Sequence, residues 1–256
     1  MIFSSPPRNW KELQSFVCEI FNECGYHAES PKTINSARSE SIEVDVYAEV
    51  EGIPKQIIIC ECKHWNRKVS QSVVHAFRMQ ISDIGANTGL IITKKGYQPG
   101  AIASARFTNT TLLTWDEFES MYEPVWFNRS FLKCLNNQMC RAFIEYTEPI
   151  NSRIISKADA LSEDKRLHFA ELREKHLAMS CLLSYINVAG GIYELIYSGH
   201  DEMLKLPLSI NKKLFRYEMI PNTIIEAVAY KKLLKEIEAY VITAIDEFDD
   251  IFGERA

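Results

Sequence analysis

The stretch "IIICECKHW", residues 57–65, places an acid, Glu61, and a base, Lys63, at the end of what otherwise reads as a buried strand. Four apolar residues, Ile57 to Cys60, run uninterrupted up to the acid. Upstream, "SIEVDVYAEV", residues 41–50, alternates, with Ile42, Val44 and Val46 on one face and Glu43, Asp45 and Tyr47 on the other. Gly52 and Pro54 break the chain between the two segments, so the pair predicts a hairpin. With Glu51 to Lys55 as the loop, Val50 pairs with Gln56. Counting five residues each way then sets Asp45 opposite Glu61, with Lys63 on the face of Glu61 and Glu43 beside Asp45. A slip of one residue would separate these faces, so the chemistry depends on the register.

Helical patterns flank the hairpin. After Pro6-Pro7, Asn9 can cap a helix with Glu12 three residues on; Trp10, Leu13, Phe16, Val17, Ile20, Phe21 and Cys24 recur at helical spacing before Gly25. Ser70 can cap a second helix to about Asp83 that buries Val73, Val74, Phe77, Ile81 and Ile84. "GLIIT" (Gly89 to Thr93) reads as a short buried strand, Pro99 to Arg106 as a short helix and "TLLTW" (Thr111 to Trp115) as a last strand. The predicted order is α, β-hairpin, α, β, α, β, an α/β class.

Like charges facing each other across strands destabilise a sheet, and ionised carboxylates in a low-dielectric interior need a compensating charge. Lys63 supplies one positive charge, and a divalent cation held by Asp45 and Glu61 would supply the rest. Oxygen donors favour a hard ion, and magnesium binds through one or two carboxylates while keeping several waters. Such an ion can polarise a phosphate oxygen and lower the pKa of a bound water, while Lys63 orients or deprotonates the nucleophile or offsets developing charge. Those parts suit phosphodiester hydrolysis. The bland alternative is that Asp45 and Glu61 are solvated strand-end acids and Lys63 merely pairs with one of them.

The charge distribution agrees with a polyanionic substrate. The chain of 256 residues carries a net charge of −5, yet residues 55–106 hold eight basic residues against two acidic ones, a local balance of +6. Within that zone Arg67, Lys68, Lys94 and Lys95 are candidate phosphate contacts, and Trp65 and Tyr97 candidate aromatics flanking a substrate. Cys60, Cys62 and His64 share the opposite face of the same strand, but zinc sites normally place two or more residues between paired cysteines and need four ligands, so Cys60 and Cys62 read as small core residues with His64 at the strand end.

Residues roughly 10 to 118 resemble the Mrr-like restriction endonucleases of the PD-(D/E)xK nuclease superfamily. The resemblance rests on a first helix ending in Gly25-Tyr26, "IEVDV" bearing Asp45, "IIICECK" bearing Glu61 and Lys63, a following helix, and "GLIITKKGYQPGAIASA". It implies a mixed sheet flanked by helices, magnesium-dependent DNA cleavage with manganese as a substitute, catalytic positions at Asp45, Glu61 and Lys63, and a role in defence against foreign DNA. Three departures stand out. Many relatives have Gln where Glu61 stands. The acid that the family often carries early in the first helix is here Gln14, with Glu19 as a possible replacement. The glycine-rich approach to the aspartate is replaced by "NSARSESIE".

From about residue 121 the texture turns helical, which divides the chain into a nuclease domain (1–120) and a mainly α-helical region (121–256). "PNTIIEAVAYKKLLKEIEAYVITAIDEFDDIF" predicts one long helix with Pro221 in its first turn. Its apolar stripe comprises Val228, Leu233, Ile237, Tyr240, Val241, Ala244, Ile245, Phe248 and Ile251, and its end is acidic through Asp246, Glu247, Asp249, Asp250 and Glu254. We assign this region to homo-oligomerisation or partner binding. The least charged segment, His176 to His200, is interrupted by Asn187 and Gly190-Gly191 and reads as buried helix, not a membrane span. Seven scattered cysteines and a start without a signal-peptide pattern predict a reduced, cytoplasmic protein. Two rival readings stay open: a non-catalytic nucleic-acid- or protein-binding module on the same fold, and a nuclease for RNA or branched DNA in repair.

Overall fold

The computed structural model describes residues 1–35, 41–148, 152–196, 204–208 and 217–253. The chain divides into two compact units, Ser5–Arg129 and Met1–Ser4 with Ser130–Ala256.

The first unit is a mixed sheet flanked by helices. It runs α1 (Trp10–Glu23), β1 (His27–Glu29), β2 (Lys32–Asn35), β3 (Ser41–Val44), β4 (Val46–Val50), β5 (Gln56–Lys63), α2 (Gln71–Ile84), β6 (Thr88–Thr93), α3 (Pro99–Ala105), β7 (Thr110–Thr114) and α4 (Trp115–Trp126). The sheet order is β1-β4-β5-β6-β7, while β2 and β3 form a separate ribbon. β4 and β5 are antiparallel, with Val50 opposite Gln56 and Val46 opposite Cys60, the register expected of the hairpin. β5–β6 and β6–β7 are parallel and are joined through α2 and α3, the crossover that parallel neighbours require.

The segment expected as one strand, residues 41–50, is two. Asp45 is a bend: β3 before it pairs with β2, and β4 after it pairs with β1 and β5. The short strands β1 and β2 are additions to the expected order.

Helix α1 begins as its sequence requires, with the Asn9 side chain accepting from Glu12 N at 2.9 Å. The Glu12 carboxylate does not close a capping box on Asn9; it accepts from Arg8 N at 2.6 Å and from the Arg8 guanidinium. Leu13, Val17, Ile20 and Phe21 are buried, whereas Trp10, expected on the apolar stripe, is exposed. Phe21 meets Phe118 and Tyr122 edge-on at 5.7 and 5.0 Å, which ties α4 to α1 within this unit. Thr114 ends β7 and starts α4 with a full capping box to Glu117. On the other side of the sheet, Val74, Phe77 and Ile81 of α2 pack with Tyr47, Ile59 and Ile91; Val73 and Ile84 are only half-buried.

That layer leaves no room at Gly89. A Cβ there would lie 2.2 Å from Ile81 Cδ1 and 2.7 Å from Phe77 Cε1. Gly89→Ala is therefore expected to destabilise the protein by about 1–3 kcal/mol through overpacking, read as a lower urea midpoint at unchanged slope.

The second unit is helical: α5 (Leu132–Leu135), α6 (Gln138–Thr147), α7 (Ser152–Asp159), α8 (Glu163–Ile196), α9 (Asn222–Ile225) and α10 (Tyr230–Phe252). The single helix expected from Pro221 onwards is broken, since Pro221 starts only the four-residue α9. The backbone N–H groups of Tyr230 and Lys231, in the first turn of α10, donate to Met1 O and Ile2 O, both at 3.1 Å. These carbonyls satisfy first-turn donors at an end where Ala229 offers no side-chain cap. Leu233, Ile237, Val241, Ala244, Phe248 and Ile251 of the expected stripe are buried, Tyr240 and Ile245 half-buried and Val228 exposed. Glu254 lies outside the described residues, as do residues 36–40 of the stretch approaching Asp45. Among the described residues no helix is long and apolar enough to cross a membrane.

Candidate active site

Asp45 sits where the sheet splits. β4 and β5 stop pairing at Val46 and Cys60, so the backbone of Asp45 is outside the ladder and its side chain takes the next donor instead: Cys62 N donates to Asp45 Oδ2 at 2.6 Å. The other oxygen, Oδ1, accepts from Gln14 Nε2 of α1 at 2.7 Å. The Asp45 carbonyl accepts from Ser30 Oγ at 2.6 Å, a brace that no sequence signal announced.

Glu61 and Lys63 project from the same face of β5 near its end and form an ion pair with each other; each side chain is 19% exposed. Burial pushes the Glu61 carboxyl above the usual carboxylate range. The charge of Asp45 pushes the same way, and the bond to Lys63 opposes both. The structure thus brings Asp45, Glu61, Lys63 and Gln14 together at one end of the sheet.

Glu19 is placed differently. It lies on the exposed side of α1, five residues and so roughly 140° of helical turn from Gln14. Gln14 reaches Asp45 from α1.

The oxygen donors suit a hard cation. An ionised carboxylate oxygen has more than one acceptor direction, so each oxygen of Asp45 retains capacity beside its present donor, and Glu61 adds a second carboxylate. Among the described residues no group of three or more His, Cys, Asp or Glu could hold a metal, so the site offers two protein carboxylates. Two oxygen donors fit a hard divalent cation that completes its shell with water, not a metal that needs a full protein cage. Cys60 and Cys62 are buried, and burial holds both thiols well above their usual pKa, as expected of inert core residues. His64 is occupied elsewhere, its Nε2 2.9 Å from Pro7 O.

Arg67, Lys68, Lys94 and Lys95 are all exposed, on the two loops that follow β5 and β6. The loops are stitched by Val69 N to Gly96 O at 3.0 Å and Gln98 N to Val69 O at 2.9 Å, and Lys94 N donates to Lys63 O at 3.3 Å. The four cations therefore sit on a rim continuous with Lys63. Trp65 belongs to that rim, its ring centroid 5.3 Å from Lys63 Nζ and 5.1 Å from Arg67 Cζ. The Tyr97 hydroxyl donates towards Ile91 O and Leu113 O, at 2.5 and 2.9 Å, and accepts from Leu113 N at 3.0 Å, which makes it a strut between β6 and β7.

Residues 8–122, which contain all of these side chains, match the family model Mrr_cat, described as restriction endonuclease. A comparison with curated proteins finds no match. Two solved structures are similar in part. A protein of unknown function, AF1548, shares 19% identity over 42% of this chain and 59% of its own length, with a TM-score of 0.38. The DNA modification-dependent restriction endonuclease AspBHI shares 13% identity over 50% of this chain and 40% of its own length, with a TM-score of 0.27. The chain thus spans less than two thirds of either.

Proposed function

We propose that this chain, whose residues 8–122 form a domain of the restriction endonuclease family, is a magnesium-dependent DNA endonuclease acting in defence against foreign DNA. The observation that carries the reading is the convergence of an Asp45 carboxylate outside the ladder with the half-buried Glu61–Lys63 pair, whose acid feels the charge of Asp45. Asp45 and Glu61 would hold the cation. When bound, that ion polarises a phosphate oxygen and lowers the pKa of its water, with manganese as a substitute.

The chain's own groups do the rest. With Glu61 engaged by a cation, Lys63 would be free to offset charge on the phosphate as an ammonium or, only as the neutral amine, to take a proton from the nucleophile. Arg67, Lys68, Lys94 and Lys95 hold the duplex by its phosphates, which positions the strand without reading its sequence.

The test is direct. Purified protein should nick or cut plasmid with magnesium and not with EDTA. Its DNA affinity should fall with added salt at a log–log slope of about −3.6 if all four rim cations neutralise phosphates. Absence of cleavage with magnesium and with manganese would refute the reading. The closed Glu61–Lys63 pair favours one second reading, a DNA-binding module that does not cut; tight binding without cleavage in either metal would select it.

For the second unit we propose a role in assembly or partner control. The α10 stripe is packed inside that unit, against α6, α8 and α9, so an interface would use other surfaces.

A further inference from the structure

We propose that Gln14 is a positioning residue for the Asp45 carboxylate, and that its neutrality limits how tightly the site holds a divalent cation. This rests on the nuclease reading above, since it concerns the same cation site.

Two donors from two different elements fix the carboxylate. Cys62 N, part of β5, holds Oδ2 at 2.6 Å, and Gln14 Nε2, carried by α1, holds Oδ1 at 2.7 Å. One donor alone would leave the group free to rotate about the bond to it; two set both its place and its plane. Asp45 needs this because it is a bend residue outside the ladder, with no regular pairing to hold it. An ionised carboxylate only accepts hydrogen bonds, so the amide must present its NH2 group to Oδ1, and the orientation of Gln14 follows from chemistry.

The charge count follows from the same contact. A carboxylate at position 14 would stand about as near to Asp45 as the amide does, adding a third acid to those of Asp45 and Glu61. The amide keeps the clamp and omits the third negative charge. Cation affinity rises with the number of ligand charges, so a neutral clamp gives a weaker but preorganised site.

The experiment is Mn2+ titration of the full chain by calorimetry, with melting of the metal-free protein measured in parallel. Gln14→Met keeps the bulk and removes the donor. It should bind Mn2+ about 10- to 100-fold more weakly than wild type, the usual effect of deleting a group that orients a metal ligand, with little change in metal-free melting. Gln14→Glu should do the opposite on both readouts, binding Mn2+ more tightly and melting lower without metal. Wild-type affinity in Gln14→Met would overturn the positioning role, and weaker binding in Gln14→Glu would overturn the charge argument. Should Gln14→Met fail to fold, Gln14→Asn, too short to reach Asp45, carries the same expectation. A wild-type protein that binds no Mn2+ would overturn the nuclease reading itself, and this inference with it.

Discussion

Lys63→Ala is expected to reduce plasmid cleavage by about 10²- to 10⁴-fold, the range associated with loss of a positioned proton-transfer group, while DNA affinity stays close to wild type. Lys63 is mostly buried, is paired with Glu61 and lies over Trp65, so truncation removes an ammonium that the fold has placed beside the carboxylates. A second effect follows at Glu61. Burial raises its carboxyl, Asp45 adds to the rise and Lys63 alone among these opposes it. Without Lys63 the carboxyl moves further up and holds its proton to higher pH. Cation binding needs the ionised form, so binding weakens as pH falls, and its midpoint in Lys63→Ala should lie at higher pH than in wild type. Lys63→Arg separates the two effects: a guanidinium restores the charge beside Glu61 but does not deprotonate, so the pH midpoint should return while cleavage stays low. Plasmid nicking and Mn2+ titration across a pH series measure both. Wild-type cleavage by Lys63→Ala would remove Lys63 from the chemistry.

The hairpin was legible because its information is local. Alternation through residues 41–50, a Gly/Pro-containing break and the apolar run before Glu61 together set the loop at residues 51–55, and the Val50–Gln56 pairing follows from it. The bend at Asp45 was not legible, because alternation continues unbroken across it. What divides the segment is partner choice: β3 goes with β2, and β4 with β1 and β5. β1 and β2 were not legible for a related reason, being three and four residues long, with Ala28 the one buried position between them. The family resemblance, counted back from Gly25, brought Gln14 and its possible substitute Glu19 into consideration, but the phase of a helix relative to a sheet is a tertiary property, and the contact at Asp45 distinguishes them. Tyr97 has a role that local pattern did not show: its hydroxyl serves backbone groups of β6 and β7. In the second unit the first-turn donors after the break before α10 go to Met1 and Ile2, more than 200 residues away in sequence, and no window of local pattern includes them.

Phe248→Ala tests whether the second unit folds on its own terms. Phe248 is fully buried on α10, stacked on Tyr146 of α6 at 4.8 Å, edge-on to Phe169 of α8 at 5.8 Å and 5.7 Å from His176 of α8. Its ring fills the junction of three helices, with Ile154, Ala158, Leu172 and Ile251 in the same cluster. The surrounding polar contacts are aligned around it: Tyr146 donates to Asp249 Oδ1 at 2.5 Å, and His176 sits between Tyr240 and Glu247 at 2.7 and 2.9 Å. A cavity here loses stacking on several sides and cannot collapse without disturbing those bonds, so a loss of about 3–5 kcal/mol is expected. That is a large part of the roughly 5–15 kcal/mol by which domains are stable. We propose that the two units are separate domains, and the loss should then be local. Hydrogen exchange should quicken across α6, α8 and α10 while β4, β5 and β6 stay protected and plasmid cleavage persists. Equal loss of protection in both units would show instead that they fold as one, and unchanged exchange everywhere would show that the Phe248 ring is not what holds the three helices together.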